Sequence, residues 1–169
     1  NTQTVEQGVR DLADFLHMLG NPVGVISAGN SQSLERFLDL NYPLSILDVQ
    51  RTMAVCAEDG AAAVILALSE ETLNDDALQS VNVDVLGCDD KGLSEDEIVK
   101  SVARFGCTVG KQTHIAGRTQ ESDALAAQAT EAYGQTDSSA LSLSIAMVLA
   151  AGVRKANIKS ALRVSRDLN

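Results

Sequence analysis

Two short apolar runs, Val23–Ser27 and Ala63–Leu68, constrain the fold of this chain more than any other feature. Each is too short for a helix, rich in β-branched or small residues, and bounded by Pro, Gly or Asp-Gly. Such runs read as strands buried on both faces, which requires helices above and below a parallel sheet. Each also ends in a hydroxyl-rich turn, Ser27-Ala28-Gly29-Asn30-Ser31-Gln32-Ser33 after the first and Ser69-Glu70-Glu71-Thr72 after the second. In open α/β sheets ligands bind at the carboxyl ends of strands, so these turns are where a site is expected.

The rest of the chain supplies the helices. Val5, Val9, Leu12, Leu16 and Leu19 recur at helical spacing and stop at Gly20-Asn21-Pro22, which marks one amphipathic helix and its end. Helical periodicity resumes over Ser33–Leu40 through Leu34, Phe37 and Leu38, and again over Gln50–Glu58. Leu44–Val49, Val81–Cys88 and Thr108–Ile115 are further strand candidates, with a short helix expected over Glu71–Gln79. Ser94 followed by Glu97 forms a capping box ahead of Ile98, Val102 and Phe105. Beyond Thr119 the chain reads as helical: an Ala-rich stretch to Tyr133, a nearly all-apolar helix over Leu141–Leu149 capped by Asp137 or Ser138, and a last helix through Ile158, Ala161, Leu162 and Val164.

Strands alternating with helices imply right-handed crossovers and a three-layer α/β architecture, Rossmann-like, with a parallel sheet flanked by helices and a helical C-terminal end. Aromatic residues make up only 3% of the chain and Trp is absent, so the core rests on Ala, Val, Leu and Ile. Residues 1–169 contain no linker or repeat that divides them, and one domain is expected.

Charge narrows the partners. The net charge of −10 disfavours a phosphate backbone, so no nucleic acid is expected. Twelve acidic residues lie between Glu58 and Glu97 against the single Lys91, whereas Arg154, Lys155, Lys159, Arg163 and Arg166 make the C-terminal segment basic. These read as solvated faces of opposite sign, or as surfaces that meet within or between molecules. Cys56, Cys88 and Cys107 form neither an even set nor a CxxC pair. Buried thiols in a reducing cytoplasm are the expectation. No segment reads as a signal peptide or membrane span.

At the first turn, Gly29 permits close backbone approach and Asn30 shapes the bend, while Ser31 and Ser33 supply hydroxyls ahead of the expected helix. A helix N-terminus with such donors suits a phosphate or carboxylate. The same residue types also serve as plain helix caps. Neither GxxxxGK[ST] nor GxGxxG occurs. Glu70, Glu71, Asp89 and Asp90 fall after expected strands, where they suit a hard cation or complement helix dipoles. His114, near Lys111, Thr113 and Arg118, is the better general-base candidate of the two histidines.

With these residues in view, the chain resembles the sugar isomerase (SIS) domains that bind phosphosugars. Ala28-Gly29-Asn30-Ser31 is similar to the end of that family's first GxGxS-type turn, and Ser69, Glu71 and Thr72 match its SxSGET pattern. Thr136-Asp137-Ser138-Ser139 before Leu141–Leu149 is similar to its late turn and helix. The resemblance implies a small-molecule anion held by Gly29, Asn30, Ser31, Ser33, Ser69 and Thr72, with no cofactor and no metal. If the domain is catalytic, it implies aldose–ketose isomerisation, which needs an acid and a base; Glu71 and His114 are the candidates this chain offers. It further implies a homo-oligomer paired through helices; the start at Asn1 rather than Met separately suggests a part of a larger protein. Glu70 departs from the pattern, standing where the family has Gly, and a carboxylate there repels a dianion. That departure opens the alternative of a non-catalytic regulatory or protein-interaction domain with a degenerate pocket.

Overall fold

The structure is a computed structural model that describes residues 2–90, 92–133 and 139–159. Helix α1 (Thr2–Met18) leads through a tight reversal into strand β1 (Val23–Ile26). The reversal is a Schellman motif: Gly20 takes φ 83°, its N–H donates to His17 O, and Asn21 N–H donates to Leu16 O. Helix α1 and strand β1 fall where the periodicity places them.

The next element does not. Instead of a helix over Ser33–Leu40, the chain turns back as a hairpin of β2 (Ser31–Ser33) and β3 (Arg36–Leu38). Gly24 pairs with Ser33 and Val25 with Gln32, both antiparallel, and Gln32 pairs in turn with Phe37. The spacing of Leu34, Phe37 and Leu38 mimics a helix stripe, yet Leu34 sits in the hairpin turn at φ 57° and Phe37 is 59% exposed.

Strand candidate Leu44–Val49 is also corrected. Leu44 forms one parallel bridge with Leu73, and Ser45 then caps α2 (Ile46–Glu58). The Ser45 hydroxyl accepts from Asp48 N–H, and the Asp48 carboxylate accepts from Ser45 N–H. This reciprocal capping box starts the helix earlier than its apolar periodicity. Helix α2 then crosses over to β4 (Ala63–Leu66), which pairs parallel with β1 from Val23↔Ala63 to Ile26↔Leu66.

After β4 the expected helix over Glu71–Gln79 is replaced by successive turns, with Asp76 and Ser80 at positive φ. Strand β5 (Val85–Gly87), helix α3 (Glu95–Val102), a 3-10 turn (Ala103–Phe105) and β6 (His114–Ala116) make a second crossover unit. Strands β5 and β6 are parallel and shorter than expected, with an isolated bridge joining Asn82 and Thr108. The Ser94–Glu97 capping box opens α3 as read from the sequence. Helices α4 (Gln120–Tyr133) and α5 (Ser139–Ala150) come next, and residues 155–159 are helical. The Thr136–Ser138 turn with its caps Asp137 and Ser138, and the last helix at Ala161, Leu162 and Val164, lie outside the described residues.

The fold is therefore mixed α/β, with a four-stranded sheet of order β3-β2-β1-β4 and a separate parallel pair β5-β6. The expected all-parallel sheet is corrected, because the hairpin inserts two antiparallel pairings beside β1. Two apolar clusters hold the layers. One joins α1, α4 and α5 to Val23, Val25 and Ile65; the other gathers Ile26, Leu44, Val49, Leu73, Leu86 and Phe105. Helix α5 touches α1, α4, β5 and β6, and no described side chain along it is exposed. That burial explains its nearly all-apolar sequence as core. No helix among the described residues is long and apolar enough to cross a membrane.

Candidate functional site

The carboxyl ends of β1 and β4 do bring hydroxyls together. Ser27 and Ser31 are buried on either side of the first turn, and Gly29 at its tip takes φ 74°, a conformation glycine adopts without strain. The Ser31 hydroxyl donates to Ser27 O at 3.2 Å and accepts from Ser27 N–H at 3.2 Å. Tyr42 adds a third bond, donating its phenol proton to Ser31 Oγ at 2.6 Å. Across the strands, Ala28 N–H donates to Thr72 Oγ1 at 3.0 Å, and Ser69 Oγ donates to the same oxygen at 3.0 Å. Asn30 N–H is taken by Ser27 O, and Gln32 Nε2 donates to the Asn30 side chain at 3.1 Å.

A hydroxyl offers one donor and two acceptor positions. Ser31 uses all three, and Thr72 uses both acceptors. The Ser27, Ala28 and Asn30 amides are engaged as well. Thr72 thus latches the β4 turn to the Ala28 amide of the β1 turn, while Ser31 closes the β1 turn on Ser27.

Ser33 is not part of this group. It pairs with Gly24 on the hairpin, and its buried hydroxyl donates to Asp59 Oδ2 at 2.5 Å. Arg36 reaches the same oxygen at 2.6 Å. Asp59 stands at the C-cap of α2, where a negative charge opposes the helix dipole. The Ser33 hydrogen bond first, and then Arg36, hold its carboxyl below the usual carboxylate range.

Glu71 lies exposed in the turn after β4, whereas His114 is exposed at the amino end of β6, its backbone N–H bonded to Asp84 O. Glu70 is 73% exposed at its side chain and forms an ion pair with Arg104, which also holds Asp75 at 2.9 Å and lies over the Phe105 ring. Asp89 is 3.9 Å from Arg118, and Asp90 accepts from Gly92 N–H. Among the described residues, no group of three or more His, Cys, Asp or Glu side chains is placed to hold a metal ion. Burial pushes the Cys107 and Cys56 thiols up, which disfavours the nucleophilic thiolate.

Two clusters escape a reading of the sequence. At the end of β6, Arg118 binds Asp123, which accepts from Ser142 on α5, itself 2.8 Å from Ser122. This network pins α4 to α5. The second is an open groove of about 650 Å³ between α1 and the hairpin, lined by Asp14, His17, Gln32, Ser33, Glu35 and Arg36 among others. No local signal announces it, since one of its walls is the hairpin whose spacing mimics a helix.

Three carboxylates give the fold a defined acid response. Asp59, Asp48 and Glu97 all have lowered pKa values, Asp48 and Glu97 mainly through the backbone N–H groups of Ser45 and Ser94. Their contribution to stability is complete above the unfolded values, about 4, and is lost as pH falls through the lower folded values. Thermal melts are expected to be flat from pH 7 to about 5 and to decline below about 4. Asp59→Asn, measured over the same pH series, should remove part of that decline.

Compared with known proteins, the chain matches no protein-family model, no curated protein and no solved structure.

Proposed function

We propose that this chain is a non-catalytic binding domain whose hydroxyl-rich strand ends are a structural latch and whose recognition surface is the groove between α1 and the β2–β3 hairpin. The supporting observation is the engagement of the Ser27, Ala28 and Asn30 amides and the Ser31 and Ser69 hydroxyl protons within the protein. The groove is open and combines an apolar floor of Val23 and Val25 with the polar side chains of Asp14, His17, Gln32 and Glu35. A reducing, cytoplasmic setting fits the three cysteines, all of which are free thiols.

The second reading, a SIS-like domain of three-layer architecture that binds a phosphosugar, is favoured by the contact of the hydroxyl-rich β1 and β4 turns through Ala28, Ser69 and Thr72. Thermal shift separates the two, because a ligand that binds only the native state raises its melting temperature. Glucose 6-phosphate, fructose 6-phosphate and inorganic phosphate at about 10 mM are expected to leave the melting temperature unchanged. Stabilisation by either sugar phosphate that Ser69→Ala removes would overturn the latch and restore the phosphosugar reading.

A further inference from the structure

Strand β3 is the edge of the four-stranded sheet, and its outer side pairs with no strand among the described residues. Phe37 lies at its centre, directly across from Gln32, so the two side chains share a face. Gln32 lines the groove, and Phe37 is the outer, 59%-exposed continuation of that surface. Glu35 also lines the groove, and Asp39 comes directly after β3, so acids flank Phe37 at a spacing of two on either side. Asp14 adds a third carboxylate from α1. Arg36 does not neutralise them, being paired with Asp59, and no cation among the described residues is paired with Asp14 or Glu35.

From this edge we infer that β3, at the rim of the groove, takes an extended basic segment of a partner protein added as a further strand, with an apolar residue over Phe37 and Lys or Arg two residues to either side. The inference deepens the groove reading above and rests on it. Strand addition supplies backbone hydrogen bonds, and alternate side chains supply the specificity. Opposite charges directly across a strand pair stabilise it, and like charges destabilise it. The same rule disfavours a second copy of this chain: antiparallel self-pairing about Phe37 would set Glu35 against the other copy's Asp39. A free acidic edge also resists uncontrolled pairing, as edge strands generally must.

The test uses the full chain, isotope-labelled for amide NMR, and two acetylated, amidated peptides, Thr-Lys-Thr-Leu-Thr-Lys-Thr and its Glu-for-Lys counterpart. The lysine peptide is expected to shift the Gln32, Phe37 and His17 amides with a Kd below about 1 mM, at least about tenfold tighter than the glutamate peptide. Glu35→Lys with Asp39→Lys should reverse that preference. Asp84→Lys with Asp96→Lys, the same charge change away from the groove, should leave it intact. Equal binding of the two peptides, an unchanged preference in the Glu35/Asp39 variant, or no binding would overturn the inference. Shifts at the same amides on concentrating the protein alone would overturn it in favour of a second copy. None of these results raises the melting temperature with sugar phosphates, so failure here is distinguishable from failure of the latch.

Discussion

Gly24→Ala is expected to destabilise the protein by about 1–3 kcal/mol, the usual range for overpacking a filled interior. Gly24 lies in the buried strand β1, and a Cβ there would overlap Cys56 Sγ and stand 3.0 Å from Cys56 Cβ on α2. Cys56 is fully buried and short, so it has little freedom to move aside. Glycine in a strand is otherwise unfavourable, and its presence here marks the close approach of helix to sheet. Because the obstruction is one side chain, Cys56→Ala should recover part of the loss. Urea denaturation of the two single variants and the double variant measures the coupling. Strict additivity would show that the α2–β1 approach is looser than described.

Thr72→Val is expected to cost about 1–3 kcal/mol, the penalty for leaving buried polar groups unpaired. Valine keeps the shape of threonine but strands the Ala28 N–H and the Ser69 hydroxyl, which meet at Thr72 Oγ1. Thr72 is fully buried, so water does not replace the lost acceptor. Thr72→Ser, which restores the oxygen, should recover most of the loss. A valine variant as stable as the parent would mean that the hydroxyl contacts do not hold the two turns together.

The legible parts of this fold are those where local chemistry and tertiary structure agree. The α1 stripe with its Gly20 stop, the apolar runs of β1 and β4, and the Ser94–Glu97 box all specify their elements within a few residues, although β4, at the sheet edge, buries only Ile65 where burial on both faces is expected. The hairpin is hidden because its turn is Leu34-Glu35 rather than a glycine-containing pair. Leu34 accepts a left-handed backbone that leucine ordinarily avoids, a strain invisible in the sequence. The segment after Thr72 departs from its helical pattern for a different reason. Its backbone donors are drawn into tertiary bonds, Asp76 N–H to Arg104 O and Leu78 N–H to Phe105 O, instead of closing helical turns.

The candidate site divides in the same way. The meeting of the two turns is recognisable, because both come after strands that lie side by side, and Ala28, Ser69 and Thr72 carry it. Their role is not recognisable, since it depends on which element the chain forms after Gly29. A helix there would turn its free amides toward an anion. The hairpin instead folds Ser31 back onto Ser27 and closes the turn on itself. Ser33 belongs to the anion cradle only if that helix forms, and the hairpin carries it to Asp59.

Amide hydrogen exchange at Ala28 tests the latch most directly, because exchange reports whether that N–H is bonded in the free protein. Slow exchange is predicted, comparable with the Val25 and Ile26 amides, unaffected by about 10 mM glucose 6-phosphate and accelerated in Thr72→Val. Fast exchange in the free protein that slows only when the sugar phosphate is added would contradict it, and would show a turn held open for an anion.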